Sequence, residues 1–274
     1  MAKAKLMDMR AEDYFDMPHL NFSTAKHIKS CPRKFRHVMT HGIGTTSAME
    51  IGTAVHTAVL EPRKFKREYK CAPDCRRGTK AWKEFAEKNP KATILKEREY
   101  NEVCAMRNSL ATNTEAMSLL DGGYTESVIT WEDEATGLDL KCRIDKCIMT
   151  DDDAIIIDLK TTLDASPRSM AARMVQAPYN YLLQMAWYQR GFEAAFTVKP
   201  RAVIIAIEKS AGYPTAAYDI NPTDMDMAQA EVSEMLDMVA TAYENNEEEG
   251  HYPRRFLTLP KWYYNDDTEE ESTI

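Results

Sequence analysis

Asp145, Asp158 and Lys160 are the residues whose types and spacing point most directly to chemistry. Asp145 lies in a strand-like stretch at 138–149, LDLKCRIDKCIM. Asp158 and Lys160 lie in a second, AIIIDLKTT, at 154–162. If Asp151 and Asp152 close a two-residue turn between them, Thr150 faces Asp153, and counting back residue for residue sets Asp145 opposite Asp158. Facing carboxylates, with side chains about 5 Å apart, destabilise a hairpin unless something positive lies between them. A divalent cation meets that need. Side chains alternate along a strand, so Lys160 projects from the face of Asp158 and sets an ammonium beside the metal. Oxygen ligands select Mg²⁺ or Mn²⁺ over zinc, and a neighbouring lysine can orient or help deprotonate a metal-bound water, a combination suited to phosphodiester hydrolysis. The competing reading is an exposed hairpin with a Lys–Asp surface pair. Against it, Asp158 and Lys160 follow Ile155-Ile156-Ile157, a buried-strand run beyond which isolated charges are costly.

Other residues widen the pattern. Gly52 and His56 lie four apart in a stretch with helical periodicity, as do Gln184 and Tyr188, and each pair shares one helical face. Asp145, followed by Asp158-Leu159-Lys160, resembles the PD-(D/E)xK nuclease core, with Ile144 where the name has Pro. Gly52 to His56 resembles the G-x-x-x-H motif of its recombination branch, and Gln184 to Tyr188 the Q-x-x-x-Y motif. ESVITWEDEATGLDLKCRIDKCI, IDLKTT, VLEPRKF, the arginine loop after APDC and LTLPKW are similar to the RecE-type (exonuclease VIII) recombination exonucleases, from about Leu20 to Trp262. The resemblance implies a Mg²⁺-dependent exonuclease, Mn²⁺ substituting, that degrades one strand of linear duplex DNA from a 5′ end. It leaves a 3′ single-stranded tail for an annealing protein, and the enzyme assembles as a ring-shaped homo-oligomer around DNA. It also implies roles. His56, Asp145, Asp158 and the Leu159 carbonyl would hold the metal, and Lys160 would activate water and stabilise the transition state. Gln184 and Tyr188 would orient Lys160 or the scissile phosphate, and Glu126 would support a metal, the second if there are two. Arg76, Arg77 and Lys80 would contact a duplex end or 5′-phosphate, or else form a solvated basic loop.

The elements that must position these groups read as α+β, a central mixed sheet flanked by helices, which is the class of the PD-(D/E)xK fold. Ser23 opens a short helix stopped by Pro32, and Ser47 caps another that runs to Leu60. Residues 63–120 are mostly helical, broken by a loop at 72–78. From Tyr124 three strand-like stretches make a meander. Tyr179 to Arg190 has helical spacing with Gly191 as its stop, RAVIIAIEK is a buried fourth strand, and Pro222 opens a helix to about Glu244. The expected organisation is a mobile or loosely docked segment at 1–20, one nuclease-like domain at 21–265 and a disordered acidic tail at 266–274.

Composition excludes several classes. With 274 residues, 44% hydrophobic and 28% charged, the chain is neither collagenous nor low-complexity. No stretch reaches the ~18 apolar residues of a membrane span, and the start lacks the apolar core of a signal peptide, so the expectation is cytoplasmic with no membrane partner. The net charge of −8 hides an asymmetry: residues 1–110 carry 22 Lys+Arg against 13 Asp+Glu, and the remainder is strongly acidic. A basic first part can track phosphates while the acidic part gathers metal ions. Cysteines at 31, 71, 75, 104, 142 and 147 do not form a disulfide framework. CPRKF resembles the start of an iron–sulfur nuclease group, but no cysteine follows Cys147 to complete a cluster, so none is expected. Two other classes stay open: an endonuclease of the same superfamily, and a catalytically inactive DNA-binding recombination scaffold.

Overall fold

The computed structural model describes residues 5–7, 9–150 and 153–245. The chain opens with β1 (Lys5–Met7), α1 (Ala11–Asp16), β2 (Leu20–Asn21), α2 (Phe22–Ala25), a tight 3-10 turn over Lys26–Lys29, and α3 (Pro32–His41). A helical layer follows: α4 (Ser47–Leu60), α5 (Pro62–Glu68), α6 (Lys80–Lys88), α7 (Glu97–Thr112) and α8 (Thr114–Leu119). The short parallel strands β3 (Tyr69–Cys71) and β4 (Thr93–Leu95) pair within this layer. The expected meander is β5 (Tyr124–Glu132), β6 (Asp139–Met149) and β7 (Ala154–Thr162). Then come α9 (Pro167–Val175), α10 (Tyr181–Phe196), β8 (Arg201–Glu208), β9 (Thr215–Asp219) and α11 (Pro222–Glu244).

The sheet runs β1-β5-β6-β7-β8-β9, with β2 added on β6. It is mixed: β5, β6 and β7 are antiparallel, β7 and β8 parallel, β8 and β9 antiparallel. The α9–α10 crossover makes the parallel pair possible, and helices on both faces explain why β7 and β8 read as unbroken apolar runs. Ile156 and Ile204 pack into the layer of α10 and α11, while Ile155, Ile157, Leu159 and Ile205 pack into the layer of α4 and α7. The expected α+β class and central mixed sheet are what the structure shows.

Several local expectations are corrected. Pro32 does not end a helix begun at Ser23. The short α2 is capped by Asn21, whose Oδ1 accepts the Thr24 N–H at 2.9 Å, and Pro32 opens α3, where its missing N–H costs nothing. Thr46, not Ser47, caps α4. Gly191 does not stop α10. The helix continues to Phe196 because Gly191 faces the sheet: a Cβ there would lie 2.7 Å from Trp131 Cζ3 and 3.0 Å from Cys142 Sγ. In the opening segment β1 pairs with β5, and buried Lys141 donates from Nζ to the carbonyls of Tyr14 and Met17 at 2.6 and 2.7 Å. The Asp151–Asp152 turn, the LTLPKW stretch and the acidic tail lie outside the described residues.

The register of the β6–β7 hairpin is the one counted from the sequence. Lys146 faces Ile157, Cys147 faces Ile156 and Met149 faces Ala154, while the Thr150 N–H reaches the Asp153 carbonyl at 2.8 Å. The pairing then stops. Further along the same edge, β6 takes a new partner, β2, at Leu140 and Lys141. Residues 142–145 of β6 therefore border a fork, with β7 leaving on one side and β2 entering on the other.

Candidate active site

Asp145 stands at the mouth of this fork. Continuing the hairpin register sets it opposite Asp158, but the backbone ladder is replaced by its side chain: Asp145 Oδ2 accepts the Leu159 N–H at 2.8 Å. On the other flank, Thr125 faces Lys146 and Ser127 faces Ile144, so Glu126 lies opposite Asp145. Three acids thus occupy one row across β5, β6 and β7. Glu126 departs from strand geometry, with φ at 52°. Left-handed backbone costs a non-glycine residue about 1–2 kcal/mol, and such strain concentrates at functional positions. It turns the Glu126 carboxylate toward Asp145 and His56.

His56 arrives from the opposite layer. Apolar Ala54, Val55 and Ala58 seat α4 on the sheet, and Gly52 allows the approach, since a Cβ there would lie 3.3 Å from Thr161 Oγ1. One turn on, His56 Nδ1 lies 3.3 Å from Asp145 Oδ2. His56, Glu126 and Asp145 each offer one ligand atom, all within 4.8 Å of one another. From the α10 side, Lys160 Nζ lies 2.5 Å from Asp158 Oδ2 and donates to Gln184 Oε1 at 2.9 Å, while Gln184 Nε2 donates to the Tyr188 hydroxyl at 2.7 Å. The fork therefore lets two helical layers meet at one point.

The electrostatics follow from burial and crowding. Burial opposes ionisation of Asp145, but His56, Lys160 and the Leu159 N–H outweigh it and hold its carboxyl below the ordinary range. Burial and the nearby Asp145 charge push Glu126 up to about 7, against the pull of Arg143, whose Nε lies 2.7 Å from Oε2. Burial also raises Asp158, despite Lys160. Lys160 is raised because Asp158 and Asp145 together exceed the burial penalty, and His56 is raised because Asp145 does the same. Although Asp158 Oδ2 and Arg143 Nε touch opposite charges, neither contact is aligned as a hydrogen bond, so both atoms keep unsatisfied capacity in a buried place.

A divalent cation fits this donor set. Two carboxylates and one imidazole converge within coordinating reach, and a row of acids is stabilised by positive charge. His56, Glu126 and Asp145 would hold the ion, with Asp158 adjacent but turned to Lys160. The contribution seen from Leu159 is its N–H, donated to Asp145.

Of the residues singled out in the sequence, His56, Glu126, Asp145, Asp158, Lys160, Gln184 and Tyr188 are brought together. Arg76, Arg77 and Lys80 are not joined to them. Arg77 pairs with Glu99 at 2.9 Å and lies over the Trp82 ring, and Lys80 is exposed, 3.8 Å from Glu84. Tyr181 is not among the residues singled out, yet its ring carries the Lys160 ammonium 4.8 Å from its centroid. Its place three residues before Gln184, on one helical face, was the available signal. Arg143, two residues before Asp145 in β6, is a second such residue.

A mixed sheet opened at a carboxylate–lysine centre, with helices contributing a histidine from one side and a Gln–Tyr pair from the other, defines a PD-(D/E)xK-type nuclease fold. The family whose sequence model matches residues 21–252 is the PDDEXK-like domain of unknown function (DUF3799), and the chain belongs to it. No curated protein matches the chain. Among solved structures, the chain is similar to that of a “putative exonuclease” from Eubacterium rectale: 15% identity, TM-score 0.60, covering 93% of this chain and 96% of that one. This likeness shows a shared fold. SSO0001 aligns at 17% identity and VC1899 from Vibrio cholerae at 8%, with TM-scores of 0.31 and 0.27. The first alignment covers 68% of this chain and 74% of that one, the second 90% and 60%, and neither carries an argument. Among the described residues, no helix is long and apolar enough to cross a membrane.

Proposed function

We propose that the protein is a Mg²⁺-dependent exodeoxyribonuclease that degrades linear duplex DNA in the 5′ to 3′ direction and leaves 3′ single-stranded tails. The observation that supports it best is the row Glu126–Asp145–Asp158 beside Lys160 in the fork between β6 and β7. A bound divalent cation supplies neutralisation of phosphate charge and a water of lowered pKa. The chain's own groups do the rest. Asp145, tied to the Leu159 N–H and His56, fixes the ligand geometry. Lys160, held between Asp158 and Gln184 over the Tyr181 ring, presents an ammonium to the scissile phosphate, assists its attacking water and stabilises charge developing on its oxygens. Tyr188 steadies Gln184 and thereby Lys160. Arg76, Arg77 and Lys80 are proposed contacts to a duplex end or its 5′-phosphate.

Polarity, the annealing partner, a ring-shaped homo-oligomer and a cytoplasmic setting rest on the sequence resemblance. Mn²⁺ should substitute for Mg²⁺, since both accept a mixed oxygen–imidazole set. The test is digestion of end-labelled linear duplexes, with and without a 5′-phosphate, beside covalently closed circles. Mg²⁺-dependent loss of linear DNA from the 5′ end, with circles spared, is expected. Cutting of circles would support the endonuclease reading. Lys160→Ala should abolish cleavage while retaining DNA binding, and unchanged digestion by that variant would overturn the mechanism.

A further inference from the structure

We infer that Lys26, with Lys34 beside it, binds a backbone phosphate of the DNA strand next to the scissile one. The inference rests on the nuclease reading and adds a substrate-holding site on the wall of the fork opposite Lys160.

That wall is built by the N-terminal chain. After β2 pairs with β6 at Leu140 and Lys141, the chain turns at once through α2 into the 3-10 turn that begins with Lys26. Lys26 Nζ lies 5.9 Å from the centroid of the Phe22 ring and donates to the Pro178 carbonyl at 2.8 Å. Pro178 belongs to the segment that leads into α10, and three residues on, Tyr181 places its ring under Lys160. Lys26 thus reaches across from the β2 side of the fork to the segment that carries Lys160.

One carbonyl engages one of the three ammonium protons. Among the described residues, no carboxylate lies within ion-pair distance of Lys26 or Lys34. Burial first, then the charges of Lys160 and Lys34, lower the Lys26 pKa, so Lys26 is a partly buried ammonium whose hydrogen-bond partner is a neutral carbonyl, whereas Lys160 is held by Asp158. An ammonium without a carboxylate partner gains from an anion, and a phosphodiester chain supplies anions at regular intervals beside the bond being cut. The bland reading is that Lys26 merely caps the Pro178 carbonyl.

The experiment measures binding of a fluorescent duplex in Ca²⁺ and cleavage in Mg²⁺, each across a salt series. Lys26→Met keeps the stem and removes the charge, Lys26→Arg keeps the charge, and Lys34→Gln tests the neighbour at an exposed position. Lys26→Met should weaken DNA binding and raise KM about 5- to 10-fold, with kcat within about twofold. The slope of log affinity against log salt should fall by about one, a change that Lys34→Gln shares and Lys26→Arg does not. If Lys26→Met is less heat-stable yet keeps the wild-type salt slope and KM, the lysine is a structural cap and the inference is overturned. If Lys26→Met does not fold, an unaltered slope in Lys34→Gln overturns it instead. Wild type that neither binds nor cuts DNA would sink the nuclease reading and this inference with it, whereas wild-type cleavage with unaltered slopes sinks this inference alone.

Discussion

Gly191→Ala should destabilise the protein and slow cleavage, although alanine is the better helix former. In mid-helix the substitution gains about 0.5–1 kcal/mol of intrinsic propensity. Against this, the new methyl would lie 2.7 Å from Trp131 Cζ3 and 3.0 Å from both Trp131 Cη2 and Cys142 Sγ, where carbon contacts prefer about 3.5–4.0 Å. Trp131 has little room to yield: it is buried, with its ring edge-on to Trp187 at 5.8 Å. Relieving the overlap therefore lifts α10 by up to about an ångström, an overpacking cost of about 1–3 kcal/mol. The balance is a loss centred on about 1 kcal/mol and no greater than about 2.5 kcal/mol, the central value being read in a melting curve as about 2–4 °C. Because α10 also carries Tyr181, Gln184 and Tyr188, the lift displaces the holders of Lys160, and misplacement on that scale can cost about 100-fold in rate. Trp131→Phe removes the outer indole ring and gives up no hydrogen bond, since Trp131 Nε1 has no partner among the described residues. The double variant should thus recover about 0.5–3 kcal/mol relative to additivity. An alanine variant as stable and active as wild type, or strict additivity in the cycle, would refute the packing argument.

Mn²⁺ should raise the melting temperature of the wild type by about 5–10 °C at a hundredfold excess over its Kd, the equivalent of about 2.7 kcal/mol, and Asp145→Asn should remove most of that shift. In metal-free buffer, Glu126 binds its proton more tightly folded, at about 7, than unfolded, near 4.5, so its stabilising contribution is full below about 4.5 and is lost as pH rises through 7. Glu126→Gln should flatten that part of the stability profile and leave the metal-free protein about 1–3 kcal/mol more stable than wild type at pH 8; a less stable variant would show that the Arg143 ion pair outweighs burial. Tyr181→Phe keeps the ring face beneath Lys160 and should cut DNA within about twofold of wild type, whereas Tyr181→Leu should lose about 2- to 30-fold in kcat with KM little changed; equal rates in the two variants would deny the cation–π contact a part in positioning Lys160.

What was legible in the sequence was local. A hairpin register depends on one turn and two alternating strands, so the facing of Asp145 and Asp158 could be counted without knowing the fold. The same holds for the helical faces that pair Gly52 with His56 and Gln184 with Tyr188. What escaped depends on distant partners. Gly191 reads as a stop because glycine commonly ends helices, and only the Trp131 ring arriving from β5 gives it another use. The two-residue β2 has no pattern of its own and is a strand because β7 has left that edge of β6. Glu126 showed as an acid in a strand, but its left-handed backbone, which turns it into the cluster, has no sequence signal beyond its place opposite Asp145.

The fork explains why three acids in a row do not prevent folding. In an unbroken ladder, each facing acid pair would cost about 0.2–1 kcal/mol, with the further penalty of burying the charges. Ending the ladder at Lys146 releases Asp145, which uses the Leu159 N–H and His56 as partners in place of a strand. Lys160 covers Asp158, and Arg143 covers Glu126. Each acid thus has one cationic neighbour, and none has its full complement of hydrogen bonds. The residual cost, with the strain at Glu126, is a few kcal/mol against the roughly 5–15 kcal/mol that holds a domain together. A fold tolerates this arrangement only where the rest of the sheet is strong, and β7 and β8, buried on both faces immediately behind the acids, provide that strength. His56, Glu126 and Asp145 offer ligand atoms within 4.8 Å of one another, so the binding energy of a divalent cation would be expressed partly as relief of that cost.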